Sequence, residues 1–309
     1  MSSLYRPQMS HAGFINTHQV SAWDEQGEQR QVSIAGESPL TLYIDKQEVV
    51  TLMTLGSSPE LLTLGYLRNQ GFIDHIEQVE AVQVDWEINA VAVVTRDGVS
   101  DLEEKLQHRT ITTGCGQGTV FGGLMDKIDQ IKLPQVELAQ SQIYGLLEEL
   151  RQQNDIYKKA GAVHGCALCQ GTQVISFVED VGRHNAVDTL AGEMLLEQIP
   201  GQDKVFYTTG RLTSEMVIKV AQMGIPVLLS RSGVTRMGME LAQQVGLLLI
   251  GRAKGQHFMV FNGQERILYD QRPTPRPSSS KSTDTATQTT PDKTLHKAFA
   301  PHKKEESCA

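Results

Sequence analysis

One segment of the sequence places a thiol in a setting where it can react. Cys115 lies in the glycine-rich run TTGCGQG, residues 112–118. Glycines on both sides give the backbone freedom and leave the thiol uncovered. A thiol in such a loop is a nucleophile when nearby charge lowers its pKa. Cys115 is therefore a candidate reactive thiol, and the alternative interpretation is a tight glycine turn with an incidental cysteine.

A second segment, HGCALC at residues 164–169, combines a histidine with two cysteines. His164, Cys166 and Cys169 are residue types that bind zinc, and the two cysteines alone are a candidate redox pair. A single cluster without a distant fourth ligand is a weak indication of zinc. The interpretation that we favour is that the cysteines share one face of a helix as small buried hydrophobic side chains.

Three further segments stand where predicted strands end: EDVGRHN at 179–185, TTGRLTSE at 208–215 and SRSG at 230–233. In open α/β sheets this edge is where ligands usually bind. Arg183, ahead of a helix, suits a phosphate, whereas a salt-bridge network is the alternative interpretation of that segment. Ser214 can cap the helix that follows, so part of its segment is explained by ordinary capping. Adjacent strand ends with Arg, Ser/Thr and Gly predict an extended polyanionic ligand, such as a nucleotide-bearing cofactor.

The elements that position these segments follow from the spacing of apolar residues. Residues 40–55 predict two strands around a polar turn at 45–47, and Ser58-Pro59-Glu60 predicts the start of a helix. Later strands are predicted at 90–95, 174–178, 205–209, 226–230, 247–251 and 258–261. Later helices are predicted at 141–159, 186–197, 214–223 and 237–245. This alternation predicts a layered α/β fold, a mixed sheet with helices on both faces.

The two ends of the chain differ from its middle. Residues 1–30 are polar and aperiodic, which predicts a loose arm. Residues 271–309 are rich in Pro, Ser and Thr, which predicts a disordered tail with Cys308 as an exposed bystander thiol. Between them we expect a smaller N-terminal α+β part at 31–135, ending in the Cys115 loop, and an α/β domain at 136–270.

Composition excludes several classes of protein. The chain has 28 Lys+Arg against 36 Asp+Glu and a net charge of -8, which gives no support to nucleic-acid binding. Four cysteines in 309 residues are too few for a disulfide scaffold and suit a reducing cytoplasm. No stretch approaches the roughly 20 apolar residues of a membrane helix, and the first residues lack the apolar run of a secretory signal. We therefore expect a cytoplasmic protein with no nucleic-acid or membrane partner.

The chain resembles the formate dehydrogenase accessory sulfurtransferase family, FdhD, over roughly residues 37–263. The resemblance rests on seven segments in this order: ESPLTLYIDKQEVVTLM, SSPELLTLGYLRNQGFI, TTGCGQGT, GAVHGCAL, EDVGRHNAVD, TTGRLTSEMVIKVAQMGIPVLLSRSG and GRAKGQHFMVFNG. It implies a cytoplasmic homodimer with a cytidine deaminase-like C-terminal part. It also implies a sulfurtransferase that carries sulfur from a cysteine desulfurase to a molybdenum or tungsten bis-pterin guanine dinucleotide cofactor, which is then placed in formate dehydrogenase.

The resemblance assigns the sulfur-carrying thiol to Cys115, which would hold the sulfur as a persulfide. Many members have a second loop cysteine where this chain has Gly118, which leaves a one-cysteine relay. Cys166 and Cys169 stand where the family more often has small residues, so they either supply a second thiol or fill the core. The chain lacks the Glu after His164 and the Pro-Cys-x-x-Cys of zinc deaminases, so neither deaminase chemistry nor a resident metal is expected.

Two groups of residues are predicted to bind the cofactor. By strand-end position they are His164, Arg183, His184, Asn185, Thr209, Gly210, Arg211, Ser230 and Ser232. On resemblance alone they are Phe258, Met259, Val260, Phe261, Asn262 and Gly263. Two competing functions stay open: a chaperone that delivers the guanine dinucleotide cofactor without transferring sulfur, and a zinc-dependent hydrolase that uses His164, Cys166 and Cys169.

Overall fold

The computed structural model describes residues 4–14, 17–100, 102, 110–111, 118–119 and 128–274. Cys115, Cys308 and the part of the predicted tail (271–309) that follows residue 274 lie outside the described residues. The described residues through Pro273 belong to one compact unit, and Thr274 is the first residue of a second.

The described strands are β1 Gln8–Met9, β2 Thr17–Trp23, β3 Gln29–Ala35, β4 Ser38–Ile44, β5 Gln47–Thr54, β6 Val79–Asp85, β7 Ala90–Thr95, β8 Thr110–Ile111, β9 Gly118–Thr119, β10 Leu138–Ala139, β11 His164–Gln170, β12 Gln173–Asp180, β13 Val205–Thr208, β14 Val227–Ser230, β15 Leu248–Lys254, β16 His257–Asn262 and β17 Ile267–Leu268. The described α-helices are α1 Pro59–Asn69, α2 Gln140–Gln152, α3 Asp155–Ala160, α4 Arg183–Leu196, α5 Ser214–Gln222 and α6 Arg236–Val245.

The N-terminal sheet has the strand order β1-β6-β7-β4-β5. Alternate residues of β4 (Leu40, Leu42 and Ile44) are fully buried, and they pack with apolar residues of α1 in one core. The predicted turn between β4 and β5 is confirmed. Asp45 and Lys46 both have positive φ (47° and 73°), the backbone that a tight hairpin requires at its two central positions.

The C-terminal sheet has the strand order β12-β11-β13-β14-β15-β16. Strands β13, β14 and β15 pair in parallel, and the flanking pairs are antiparallel. Helices α4, α5 and α6 bury one face, while α2 and β17 pack on the other. The predicted fold class, a mixed sheet with helices on both faces, is confirmed.

Helices α1 and α4 cross at two glycines. A Cβ on Gly65 would lie 1.7 Å from the Asp188 carbonyl oxygen, and a Cβ on Gly192 would lie 1.9 Å from the Leu61 carbonyl oxygen. No larger residue fits at either position without separating the backbones. Since α1 covers the first sheet and α4 the second, these glycines set the distance between the two sheets.

The segment around Cys166 is a strand and not the helix that we predicted. Its Gly, Ala and Cys residues show no clear apolar period, but β11 lies between two antiparallel partners, β12 and β13, and sheet pairing decides its structure. Cys166 consequently lies in the core beneath α4 and α5, whereas Cys169 lies in the core beneath α2. The expected burial of both cysteines is confirmed, but the shared helix face is wrong.

The predicted helix over 141–159 is divided into α2 and α3. Asn154 stands between them with φ 62°, a left-handed backbone that ends one helix and begins the next. This break places α3 beside the site described below.

The expectation of a loose arm over residues 1–30 is wrong for the residues described there. The β1 strand pairs in parallel with β6, and the Tyr5 hydroxyl donates to the Val79 carbonyl at 2.7 Å. The Arg6 guanidinium donates to the Leu196 carbonyl at 3.0 Å, and β2 forms a hairpin with β3. The polar composition reflects an element that lies on the surface, so composition alone did not distinguish it from disorder. In the described part of the chain, no helix combines the length and hydrophobicity needed to cross a bilayer.

Candidate functional site

The strand-end segments meet at one edge of the C-terminal sheet. Strands β13 and β14 are parallel, so their carboxyl ends, at Thr208 and Ser230, lie side by side. Strand β11 is antiparallel to β13 and begins at this edge with His164, which is paired with Asp180 at the end of β12. The sheet topology therefore brings together segments that are distant from one another in the sequence, from His164 to Ser230.

Buried hydroxyl groups shape the loops that leave this edge. Thr208 Oγ1 accepts a hydrogen bond from the Gly210 N–H at 3.1 Å. Ser230 Oγ donates to the Gly210 carbonyl at 2.7 Å and accepts from the Ser232 N–H at 2.9 Å. A Cβ on Gly210 would lie 2.9 Å from Cδ of Arg183, so glycine lets that arginine pack across the loop. Ser230 and Gly210 thus act here on the shape of the loops.

Three arginines lie near enough to His164 to act on its charge, and His164 itself is half-buried at this edge. Burial lowers the pKa of the imidazole, and the positive charges of Arg183, Arg231 and Arg211 lower it further. The ring is consequently neutral near pH 7. Its Nδ1 lies 3.3 Å from Thr209 Oγ1, which also accepts the Gly165 N–H at 3.1 Å. The edge is a cationic surface with a neutral imidazole in it.

A pocket of about 620 Å³ opens beside this cationic edge. Its volume falls within the range of small-molecule sites, about 300–1,000 Å³. Polar groups enter it from the strand ends, and apolar side chains come from α2 and β15. The lining includes Leu147, Leu150, Arg151, Tyr157, Lys158, Tyr207, Thr209, Arg231, Ser232 and Lys254. An apolar wall with basic groups is suited to a ligand that has both a ring and negative charge.

Arg231 and Tyr157 are two residues of this pocket that the sequence prediction missed. The Arg231 guanidinium lies 5.2 Å from the centre of the Tyr157 ring, within cation–π distance. Arg231 stands between the two predicted serines, so the strand-end rule was sufficient to include it. Tyr157 lies on α3, whose position depends on the break at Asn154, and no local pattern indicates that position.

Most polar residues of the EDVGRHN segment position other elements. Asp180 is buried and accepts hydrogen bonds from four donors: Thr54 Oγ1 (2.5 Å), Leu55 N (3.1 Å), Gly182 N (2.9 Å) and Asn185 Nδ2 (2.8 Å). Burial raises the pKa of this carboxyl, and these hydrogen bonds oppose the shift. Asn185 Nδ2 also donates to the Met53 carbonyl at 2.7 Å. Asp180 and Asn185 therefore join the end of β5 to the edge.

The glutamate of the same segment holds α3. The Glu179 carboxylate accepts the N–H groups of Ile156 and Tyr157 at 2.8 and 2.9 Å. These donors belong to the first turn of α3, where a carboxylate is favourable. The alternative interpretation of this segment was a salt-bridge network, but the structural contacts of Asp180 and Glu179 are hydrogen bonds. Arg183 differs from them because its charge acts on His164.

His184 lies in a buried ladder of titratable groups between α4 and α5. Its Nε2 is 3.2 Å from Glu215 Oε2, and one turn further along both helices Lys219 Nζ is 2.7 Å from Asp188 Oδ2. Burial lowers the pKa of His184 well below its usual value, and the Lys219 charge adds to this effect. Asn69 Nδ2 on α1 donates to Asp188 Oδ1 at 2.7 Å. The ladder therefore links all three helices beneath the edge.

The residues predicted on resemblance alone lie along β16, two strands from β14 at the far side of the sheet. Phe258 and Val260 line a smaller cavity of about 300 Å³, together with Tyr144 and Tyr269. Met259 is half exposed, and Phe261 packs against the core beneath α6. Asn262 Nδ2 donates to the Leu247 carbonyl at 2.7 Å, and Gly263 has φ +81°. Their role toward a cofactor stays a prediction.

The hypothesis of a zinc-dependent hydrolase is wrong. Cys166 and Cys169 belong to cores on opposite faces of the sheet, so they cannot bind one ion together with His164, nor form a redox pair. Among the residues that the structure describes, no group of three His, Cys, Asp or Glu side chains is placed to hold a metal. Burial raises the pKa of each of the two thiols to about 12, as expected for core residues.

The fold and the edge together define an α/β protein with a cationic surface at one edge of its C-terminal sheet. The chain belongs to the FdhD/NarQ family, whose model matches residues 35–268. The family that the sequence resembles is thereby confirmed.

Known proteins of this family are similar to the chain over most of their length. The sulfur carrier protein FdhD of Bacillus licheniformis is 30% identical over 245 residues, which cover 78% of this chain and 92% of that protein. The sulfur carrier protein FdhD of Listeria monocytogenes is 29% identical over 259 residues, covering 82% and 99%. A crystal structure from Desulfotalea psychrophila, of a protein assigned as a formate dehydrogenase accessory protein, superimposes with a TM-score of 0.64 at 26% identity and covers 82% of this chain and 98% of that one.

Proposed function

We propose that this protein is a sulfur carrier for formate dehydrogenase. It accepts sulfur on Cys115 from a cysteine desulfurase and passes it to the molybdenum or tungsten bis-pterin guanine dinucleotide cofactor before that cofactor enters the enzyme. The observation that supports this most strongly is the cationic edge, with its adjoining pocket, in a chain whose relatives are named sulfur carrier proteins. A cytoplasmic location and a homodimer belong to the proposal on the family resemblance.

Cys166 and Cys169, the two cysteines that the structure describes, are unsuited to carry sulfur, and this supports Cys115 as the carrier. Cys166 and Cys169 are fully buried. A thiol pKa of about 12 leaves on the order of one thiol in 10⁴ ionised at pH 8, and the thiolate is the form that attacks sulfur.

The first transfer is an exchange between sulfur atoms. The Cys115 thiolate attacks the terminal sulfur of the persulfide on the desulfurase, a new S–S bond forms on Cys115, and the S–S bond of the donor breaks. The donor leaves as a thiolate and the proton stays with the transferred sulfur or the solvent, so no external oxidant or reductant is needed. When the terminal sulfur is later transferred, the S–S bond on Cys115 breaks and its electron pair restores the Cys115 thiolate, while the accepting metal supplies the two electrons that make the transferred atom a sulfide.

The cationic edge suits the substrate that this proposal names. Each guanine dinucleotide presents a diphosphate, for which guanidinium groups are the preferred partners because they donate two parallel hydrogen bonds. Arg183, Arg211 and Arg231 supply such groups at one edge. The apolar wall of the pocket and the Tyr157 ring suit a planar base. The substrate supplies the metal that receives sulfur, and the chain's residues bind and orient its anionic ends.

The test is to load the protein with sulfur and locate the adduct. The purified full chain is incubated with a cysteine desulfurase and cysteine, and then analysed by intact-mass and peptide mass spectrometry. We expect a reducible adduct with the nominal mass of one sulfur, about 32 Da, on the Cys115 peptide. The adduct should be lost in Cys115→Ala and retained in Cys308→Ala and in the double variant Cys166→Ala/Cys169→Ala.

Two outcomes of this experiment would contradict the proposal. An adduct that persists in Cys115→Ala and disappears in Cys308→Ala would move the carrier thiol to the C-terminal segment. No adduct on any peptide, with guanosine diphosphate still bound, would favour the chaperone that delivers the cofactor without sulfur.

A further inference from the structure

Two hydrogen bonds define the tautomer of His164. Thr209 Oγ1 accepts the Gly165 N–H at 3.1 Å, and its other polar neighbour is His164 Nδ1 at 3.3 Å. Thr209 is largely buried where it lines the pocket, and Nδ1 is the acceptor that the structure places within reach of its hydroxyl proton. The unprotonated Nδ1 of a neutral imidazole provides that acceptor. The proton of the ring therefore lies on Nε2, which makes Nε2 a hydrogen-bond donor.

The charges that act on this ring are positive, and they come from three different elements. Arg183 begins α4, Arg211 follows β13 and Arg231 follows β14. The acidic groups of the neighbouring strand are engaged elsewhere: Asp180 accepts four donors at the β5 junction, and Glu179 accepts two N–H groups of α3.

The remaining titratable neighbours add no unpaired negative charge at neutral pH. His184 is buried, with its pKa well below the usual value, and it is therefore neutral. Cys166, two residues along the same strand, is protonated because burial raises its pKa to about 12. Farther out in the pocket, Arg151, Lys158 and Lys254 are basic, and Glu148 pairs with Arg151 at 2.7 Å.

We propose that an anion bound at Arg183, Arg211 and Arg231 brings a proton onto His164, which then becomes a fourth cationic group of the site. This inference rests on one part of the proposed function, namely that the cationic edge binds an anion. Without an anion the arginines keep the ring neutral. A diphosphate reverses the sign of the local charge, and the ring takes a proton from solvent at Nδ1.

The threonine accommodates both protonation states without a change in the backbone. When Nδ1 gains its proton, the Thr209 hydroxyl rotates and accepts from Nδ1–H through its second lone pair, while it still accepts from Gly165 N–H. The hydroxyl proton of Thr209 then turns to the pocket that Thr209 lines, where water or the bound anion accepts it. Binding and proton uptake are therefore linked, so anion affinity rises as pH falls, and loss of the proton favours release.

Sulfate is the probe that separates this linkage from titration of the ligand, since sulfate keeps a constant charge between pH 5 and 9. The measurement is an NMR titration of the histidines in the full chain, with and without saturating sulfate. The His164 signal is assigned by its absence in His164→Gln. We expect a His164 pKa below about 6.5 without sulfate and a rise of about one unit with it, which corresponds to about tenfold tighter binding of sulfate at low pH.

Two controls make the result specific. His18→Gln, at an exposed position on β2, should leave both the pKa of His164 and sulfate affinity unchanged. In Thr209→Val the hydroxyl is lost, and the ring ¹⁵N shifts should report a mixture of tautomers instead of Nε2–H alone. The tautomer is read in the unaltered protein as well, so a poorly folded variant does not remove the test.

The inference is overturned if sulfate fails to bind, if it binds without moving the His164 pKa, or if His164→Gln keeps the full pH dependence of sulfate affinity. Failure of the proposed sulfur transfer is a separate result. It would appear as a missing adduct on Cys115 while the sulfate titration is unaltered.

Discussion

The cationic edge and the ladder between α4 and α5 contain similar residues but arrange them in opposite ways. At the edge, three arginines of like charge gather around a neutral histidine, and Arg211 and Arg231 are exposed to solvent. In the ladder, each basic group faces an acidic one, and Lys219 and Asp188 are almost fully buried. Both regions draw on the sequence EDVGRHNAVD, which contains Arg183 and Asp188.

The comparison indicates that burial decides whether the counter-charge of an ionised side chain comes from the chain itself or from a ligand. A buried ion requires a partner within the chain, because removal from water is costly and must be offset by pairing. Exposed like charges repel one another only modestly in water, and a ligand can supply the missing negative charge. We therefore interpret the ladder as a device for holding three helices together and the edge as a binding surface.

Gly65→Ala should give the largest effect, because it tests the helix packing on which the ladder depends. Alanine normally stabilises a helix over glycine by about 1 kcal/mol. Here its Cβ would lie 1.7 Å from the Asp188 carbonyl oxygen, so α1 must move away from α4. We expect a loss of more than about 4 kcal/mol of unfolding free energy, or failure to fold, measured by urea denaturation.

The control for this prediction is Gly145→Ala in α2. Gly145 is exposed, and its Cβ would meet Thr172 Cγ2 at 3.1 Å, the end of an exposed side chain that can turn away. We expect a change within about 1 kcal/mol, with stabilisation favoured. Equal behaviour of the two variants would show that the α1–α4 contact does not depend on glycine.

Lys219→Met should have the second largest effect, since it leaves Asp188 buried without its cation. Breaking one side of a buried pair costs about 3–5 kcal/mol. Burial already raises the pKa of Asp188, and loss of the lysine raises it further. The folded state then binds more protons than the unfolded state, so stability falls as pH rises above the unfolded pKa. Urea denaturation should show a larger deficit at pH 8 than at pH 5.

Two comparisons check this assignment. Lys132→Met removes an exposed lysine and should change stability by less than about 0.5 kcal/mol at either pH. The double variant Asp188→Asn/Lys219→Met removes both charges and should be more stable at pH 8 than Lys219→Met alone. A Lys219→Met deficit that is independent of pH would mean that lost packing, and not the unpaired charge, is the cause.

The sequence was sufficient to predict most of this arrangement where periodicity is strong. The strands and helices from β13 to α6 were predicted within a few residues, and their topology brings the TGR and SRS segments to one edge. The carboxyl ends of neighbouring parallel strands must share an edge, so a local pattern predicts a distant contact.

The rest depended on tertiary contacts that no local pattern records. Residues 164–169 lack alternation, and only pairing with β12 and β13 makes them a strand. The sequence also did not predict the direction in which side chains point. Asn185 and His184 were predicted to face a ligand, but they contact Met53 and Glu215. The type of a charged residue indicates that it needs a partner, whereas burial decides whether that partner belongs to the chain.

Arg211→Ala should give the smallest effect on stability and a clear effect on binding, which is the combination that distinguishes the edge from the ladder. Charge-assisted hydrogen bonds to a diphosphate contribute about 1.5–3 kcal/mol, so pyrophosphate affinity should fall about 10- to 100-fold. Because Arg211 is exposed, the unfolding free energy should change by less than about 0.5 kcal/mol.

Arg236→Ala is the matched control. Its side chain is 88% exposed and pairs with Glu240 one turn along α6, so neither pyrophosphate affinity nor the unfolding free energy should change measurably. If Arg211→Ala lowered stability but left pyrophosphate affinity intact, the arginine would be structural like Lys219, and the distinction between the two regions would fail.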